Sequence, residues 1–337
     1  MTEQQTNEGT ALEEKESQAY RSGFVAVVGR PNVGKSTLIN ALIGKQIAIA
    51  SSRPETTRKA IRGILTLPHA QLVLVDTPGI HKPRTLLGQR LNDVVDESLS
   101  DVDVAAFVLP ADQEIGPGDR RILQKLQEQY ARGSHGDSAD IEWKIPVIAV
   151  VTKIDMLDKE QLVAKMIEIQ QFANFAELVP ISAKDGDNVD ELRDVLVDAT
   201  PVGPQMYPAD QISEESPEDT IAELVRGAFL EELNDELPHS LAVTVDSIVY
   251  PDEEFSLEID GSQLAQGKVT VHVSLFVERN SQKPIIIGHH AEHLVHVKKR
   301  LRTPVNRIIG AKSQLDLHVK VAKDWQSNPK QLQRLGF

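Results

Sequence analysis

Gly29-Arg30-Pro31-Asn32-Val33-Gly34-Lys35-Ser36 has the spacing G-x-x-x-x-G-K-S, and those residue types at that spacing can hold phosphate. The two glycines let the backbone curl so that successive N–H groups converge on anionic oxygens. Lys35 is long enough to reach terminal phosphates, the Ser36 hydroxyl can ligate Mg2+, and Thr37 follows it inside the site. The flanks fit. An apolar strand, Phe24–Val28, leads in, and a helix from Ser36 to Ile43, closed by Gly44, leads out, adding its N-terminal dipole to the anion site.

Three further clusters fall at the ends of predicted strands. Asp76-Thr77-Pro78-Gly79 ends the run Leu72–Val75. Its carboxylate suits outer-sphere contact with Mg2+, and Gly79 allows a backbone N–H to approach a γ-phosphate. Thr152-Lys153-Ile154-Asp155 ends the strand Val147–Val151. Asp155 can accept two N–H bonds from a guanine edge, with Lys153 along the base; alone, it would read equally well as a helix N-cap. Ser182-Ala183-Lys184 ends a short strand, Leu178–Ile181, and its backbone can meet the guanine oxygen. Thr57, in the polar loop 51–58, would complete the Mg2+ shell and act in catalysis with Lys35; alone it is a solvated threonine. Loops of this kind order on a γ-phosphate and relax after its loss.

These residues need a scaffold, and the chain supplies alternation. Strands are predicted at 24–28, 60–67, 72–75, 104–109, 147–151 and 178–181, with helices near 119–130, 159–172 and 189–199. Short apolar strands with intervening helices give an α/β fold with a mostly parallel sheet, whose ligands gather at the strand carboxyl ends. Residues 1–22 are polar and acidic and read as a disordered extension. Pro201, Pro204, Pro208 and Pro217 mark a semi-rigid linker over 201–216, so the first domain is expected at 23–200 and a second at 217–337.

In order, G-R-P-N-V-G-K-S, E-T-T-R, D-T-P-G, T-K-I-D and S-A-K resemble the nucleotide motifs of translation-factor-like GTPases. P-E-T-T-R followed by D-T-P-G-I-H-K-P resembles the Era family. The resemblance implies GTP and GDP as ligands, Mg2+ as cofactor and hydrolysis of GTP. Thr152 stands where the family carries Asn; its hydroxyl is expected to tie this loop to the phosphate loop. Ile80 stands where Ras-like enzymes place a Gln that orients water, so slow intrinsic hydrolysis is expected. Related GTPases with Asn at position 32 bind K+ against the phosphates, which makes K+ a second candidate cofactor; Asn32 could equally just shape the turn.

The second domain begins with Ser216 as N-cap and Pro217 in the first turn of a helix over 217–237. Leu241–Tyr250 and Val269–Val277 read as strands, the latter alternating Val269, Val271 and Val273 with Thr270, His272 and Ser274. Residues 251–268 read as a long hairpin connection. Ile285–Ile287 lead into Gly288-His289-His290-Ala291 and a basic helix with Lys298, Lys299, Arg300 and Arg302, ending at Gly310. Leu315–Val321 form a last strand. This order resembles an α+β type II KH domain, whose Gly-x-x-Gly turn holds single-stranded RNA. Ala291 replaces the second glycine, so RNA binding is expected to be weakened, retuned or pH-sensitive. His289, His290, His293 and His296 read as solvated rather than metal-bound.

Composition bounds the rest. The net charge is −14, yet residues 280–337 hold 11 Lys and Arg against 3 Asp and Glu, a balance of +8, leaving −22 on residues 1–279. A basic end on an acidic body suits a polyanion partner. There is no cysteine, and no apolar run approaches a membrane span; both fit the cytoplasm. The Era resemblance further implies binding to the 3′ end of 16S rRNA, a role in 30S subunit maturation, and peripheral membrane association; a monomer is expected. Two rivals stand: a tRNA-modification-type GTPase, and a GTP-sensing interaction protein whose altered turn no longer binds RNA.

Overall fold

A computed structural model describes residues 19–48, 58, 60–79, 85–132, 141–233, 240–251 and 268–337. Residues 1–18, Thr57, Ile80 and nearly all of the 251–268 connection lie outside the described residues.

Six strands form the first sheet in the order β2-β3-β1-β4-β5-β6. They are β1 (Arg21–Val28), β2 (Ile61–Leu67), β3 (Ala70–Asp76), β4 (Val104–Pro110), β5 (Val147–Thr152) and β6 (Glu177–Pro180). β2 runs antiparallel to β3; the other neighbours are parallel. β3, β4 and β5 are buried along their whole length, as central strands covered on both faces must be. α1 (Lys35–Ile43) and α5 (Val189–Ala199) cover one face, closing over Val25, Val27, Leu72 and Leu74. α2 (Leu86–Ser100), α3 (Pro117–Tyr130) and α4 (Lys159–Phe172) cover the other, closing over Ala26, Val28, Phe107 and Ala149.

β1 starts inside the stretch read as a disordered extension. Arg21 pairs with Ala70, its N–H bonds the His69 carbonyl, and its guanidinium donates to the Thr200 carbonyl. Residues 201–216 lie along this first unit. Val202 bridges to Arg21 and Ser213 to Gly63, while the Gln71 amide binds backbone at Met206 and Tyr207. The sequence reading places no helix at α2, although the signals are present. Thr85 caps the Gly88 N–H, and Leu87, Leu91, Val95 and Leu99 recur every four residues on the buried side.

The second sheet is β7 (Ala242–Val249), β8 (Val269–Val277) and β9 (Ser313–Val321), with β7–β8 antiparallel and β8–β9 parallel. One face packs on α6 (Pro217–Glu232) and α8 (Glu292–Ile309) through Ile221, Val225, Phe229, Val271, Val273, Leu275, Val297 and Leu301. Ser216 caps α6 as its sequence predicts, accepting the Asp219 N–H at 3.0 Å. Between β8 and α8 lies the short α7 (Lys283–Ile287), and α9 (Pro329–Arg334) ends the chain.

A fourth apolar cluster joins the two units. Leu87 and Leu91 of α2 pack with Ala242, Phe276, Ala322, Trp325, Leu332 and Leu335. Arg58 is buried there: its guanidinium donates to the Leu241 carbonyl at 2.7 Å and sits 5.7 Å from the centre of the Trp325 ring. Trp325 stacks on Phe337 and donates to the Ser240 carbonyl at 2.9 Å. Arg90 of α2 binds the Phe337 carbonyl.

Candidate nucleotide-binding site

The phosphate loop turns between β1 and α1 as its glycines require. Gly34 has φ 101°, a conformation that side chains rarely adopt, and Asn32 is exposed at the rim with φ 63°. A Cβ on Gly29 would lie 2.8 Å from Val33 and 2.9 Å from the Val108 carbonyl, so the loop must pass that close to β4. Arg30 braces it from outside, pairing with the buried Asp119 of α3 at 2.8 Å. Val33 is fully buried beneath, and Pro31 abuts the next loop: a Cβ on Gly79 would lie 2.7 Å from the Pro31 ring.

Lys35 is buried, and its ammonium donates to the Gly29 and Arg30 carbonyls at 3.1 and 3.0 Å. Burial lowers its pKa to about 8, against a smaller opposing pull from Asp76. An ammonium held in a curl of loop amides is ready to exchange those carbonyls for phosphate oxygens. Ser36 donates to the buried Asp76 carboxylate at 2.7 Å. This pair is a hard-oxygen donor set of the kind Mg2+ takes, with one hydroxyl inside and one carboxylate behind it. Thr77 is buried and fixes the loop to β1 by donating to the Val27 carbonyl at 2.9 Å; Pro78 and Gly79 follow it toward the phosphate loop.

The base-side residues converge on the same edge. The Thr152 hydroxyl donates to the Val33 carbonyl at 2.6 Å, which is the tie expected of it. Lys153 takes a left-handed backbone, φ 62°, and its ammonium lies 3.3 Å from the Asp112 carboxylate. Ile154 and Asp155 stand in the short helical turn that follows β5. Asp155 accepts the Ser182 hydroxyl at 2.9 Å, and Ser182 is buried while Lys184 is exposed. Thus Gly29–Thr37, Asp76–Gly79, Thr152–Asp155 and Ser182–Lys184 all lie at the carboxyl ends of β1, β3, β5 and β6. Sequence reasoning does not single out Asp112; only its position just past β4 points to it.

The second unit carries the altered turn. Gly288 ends α7 with φ 76°, and a Cβ there would meet Glu292 and His293 at 2.9 Å. His290 and Ala291 also take left-handed conformations, φ 50° and 62°. Ala291 therefore holds the shape a glycine would, at a steric cost. His289 and His290 are exposed with their rings edge to face, 4.1 Å apart. Of the basic residues on α8, Lys299 and Arg302 are exposed and Lys298 half-buried, whereas Arg300 pairs with Glu231 of α6. His293 and His296 turn away to the Ile285 carbonyl and Glu232.

Comparison with known proteins agrees with this division. A family model described as a 50S ribosome-binding GTPase matches residues 24–153, and a KH domain model matches residues 236–326. GTPase Era of Mycobacterium bovis is 47% identical over 319 residues, 94% of this chain and 99% of the relative. GTPase Era of Mycolicibacterium smegmatis is 46% identical over the same span. A crystal structure of an Era in complex with MgGDPNP and nucleotides 1506–1542 of 16S ribosomal RNA superposes with a TM-score of 0.82 at 31% identity, covering 94% of this chain and 99% of that chain. An Aquifex aeolicus Era variant bound to GDP·AlF4− gives a TM-score of 0.81 with the same coverage.

Proposed function

This chain belongs to the Era family of GTPases, and from that premise we propose that it binds and slowly hydrolyses GTP and uses its nucleotide state to control binding to the 3′ end of 16S rRNA during 30S subunit maturation. The boundaries proposed are a GTPase domain at 23–200, a connection at 201–216 and a KH-type RNA-binding domain at 217–337. The observation that carries the nucleotide half is the Thr152–Val33 hydrogen bond. It joins the guanine-reading segment to the phosphate loop in one rigid site. The RNA half is supported by the Era complex with a 16S rRNA fragment and by the basic end of this chain.

Ser36 and Thr57 would hold Mg2+, with Asp76 behind Ser36; when bound, the ion neutralises charge on the β- and γ-phosphates. Lys35 and the amides of Asn32 to Thr37 stabilise the charge that grows on the phosphate oxygens as water attacks phosphorus and GDP departs. Asp155 accepts from the guanine edge, and Ser182 holds that carboxylate in place by donating to it. Ile80 has no group with which to orient the water, which supports a slow rate. Asn32, exposed at the rim of the loop, is proposed to hold K+ against the phosphates. The protein is proposed to act as a cytoplasmic monomer that meets the membrane only peripherally; among the described residues no helix is long and apolar enough to cross one.

Nucleotide titrations test the site. Asp155→Asn should lose guanine affinity by about 100-fold or more, since one of the two acceptors facing the guanine N–H groups becomes a donor, and KCl should raise GTP turnover over NaCl. Equal binding of GTP and ATP by the native chain would overturn the reading. Equal turnover in the two salts would remove K+.

A further inference from the structure

Away from the nucleotide site and the altered turn, the solvent-side face of the second sheet carries a group of potential metal donors. β8 and β9 run parallel in a register that sets His272 directly beside Asp316. Alternation then returns His318, two residues on, to the same face. Asp316 Oδ2 is 3.0 Å from His272 Nδ1 and 2.8 Å from His318 Nε2. One ligand atom from each residue lies within 4.8 Å of the others, and among the described residues no other trio of His, Asp or Glu does this. All three side chains remain solvent-accessible, at 37%, 40% and 55%.

We propose that His272, Asp316 and His318 form a binding site for a divalent metal ion of the zinc class. Two imidazole nitrogens and one carboxylate oxygen are a donor set that favours Zn2+ and its late first-row neighbours over Mg2+. Tetrahedral donors bonded at roughly 2.0–2.1 Å stand about 3.3 Å apart. The two imidazole nitrogens need to draw back from Asp316 Oδ2 by only a few tenths of an ångström, which side-chain rotation on two hydrogen-bonded strands supplies. A water would complete the fourth position, on the solvent side. The surroundings do not oppose a cation. Lys320, next along this face, is paired with Asp246 at 3.2 Å, and Thr270 and Gln314 on the other side bond each other at 3.0 Å. The contacts of both imidazoles with Asp316 hold the three residues in position, and any ring proton on the ligating nitrogens is released as the ion binds.

Cobalt titration of the full-length protein, saturated with GDP and excess Mg2+, tests this. Excess Mg2+ keeps the hard-oxygen site beside Ser36 occupied. One equivalent of Co2+ should give the visible absorption of a tetrahedral centre and should be displaced by Zn2+. His318→Ala and Asp316→Asn should each weaken binding by about tenfold or more, a loss at least as large as that from removing a mere supporting contact. Zn2+ should raise the melting temperature of the native chain and of a His289→Ala/His290→Ala variant, but not of His318→Ala. No tetrahedral spectrum, affinity in the His318→Ala and Asp316→Asn variants equal to that of the native chain, or loss confined to the His289/His290 variant would each overturn the proposal.

Discussion

Ala291 bears a backbone conformation, φ 62°, that costs an L-residue about 1–2 kcal/mol. Ala291→Gly should therefore stabilise the second unit by about 0.5–1 kcal/mol, the relief being partly offset by the freer unfolded chain; urea unfolding measures it. A valine there should destabilise, because a β-branched side chain tolerates that conformation less well than alanine. Lys35 supplies a second prediction. Its pKa is lowered from 10.5 to about 8 by burial, so the native state binds fewer protons than the unfolded chain between those values. Stability from this group therefore rises as pH climbs from 8 toward 10.5, and below that window the buried charge costs about 3 kcal/mol. Phosphate binding requires the ammonium. Nucleotide affinity should accordingly fall by up to about tenfold per pH unit above about 8, with proton uptake on binding, and calorimetry in buffers of different ionisation enthalpy would detect that uptake.

α2 is the element with most leverage. It follows the Asp76–Gly79 loop in sequence, and its Leu87 and Leu91 lie against Trp325, Leu332 and Leu335 of the second unit. Arg58, one residue past Thr57, reaches the same cluster. Residues that follow both loops expected to sense the γ-phosphate thus lie in the interface between the units. Trp325→Ala removes the central side chain, a change that costs about 3–5 kcal/mol in a packed core. It should split thermal unfolding into two transitions while leaving GDP affinity within about twofold; calorimetry and nucleotide titration check both.

The nucleotide site was legible in the sequence because each motif sits where a buried strand stops, and spacing alone marks such ends. The interface was not. Phe276 lies on the polar face of β8, and long-range contacts explain it: Phe276 is covered at that end by α2 of the first unit and by the C-terminal segment of its own. The prolines of 201–216 read as a spacer, but the Gln71 and Ser22 contacts that hold this stretch against the first sheet are long-range. The basic helix was legible as charge. That Arg300 is committed to Glu231 could not be read from sequence, because the pair joins residues far apart in the chain.

For the molecule as a whole, a nucleotide-binding unit is joined to a KH-type unit, whose last segment is basic, through a buried contact that Arg58 and α2 both reach. The +8 balance of residues 280–337 predicts salt-sensitive RNA binding, and the interface predicts that nucleotide state changes that binding. The most direct test is fluorescence anisotropy of a labelled RNA matching the 3′ end of 16S rRNA, with the protein loaded with GDPNP or GDP and a scrambled RNA as control. The account predicts tighter, sequence-dependent binding with GDPNP, and loss of the nucleotide difference in Arg58→Ala. Equal binding of both RNAs in both nucleotide states would contradict it, leaving a GTPase whose basic end is only a polyanion patch.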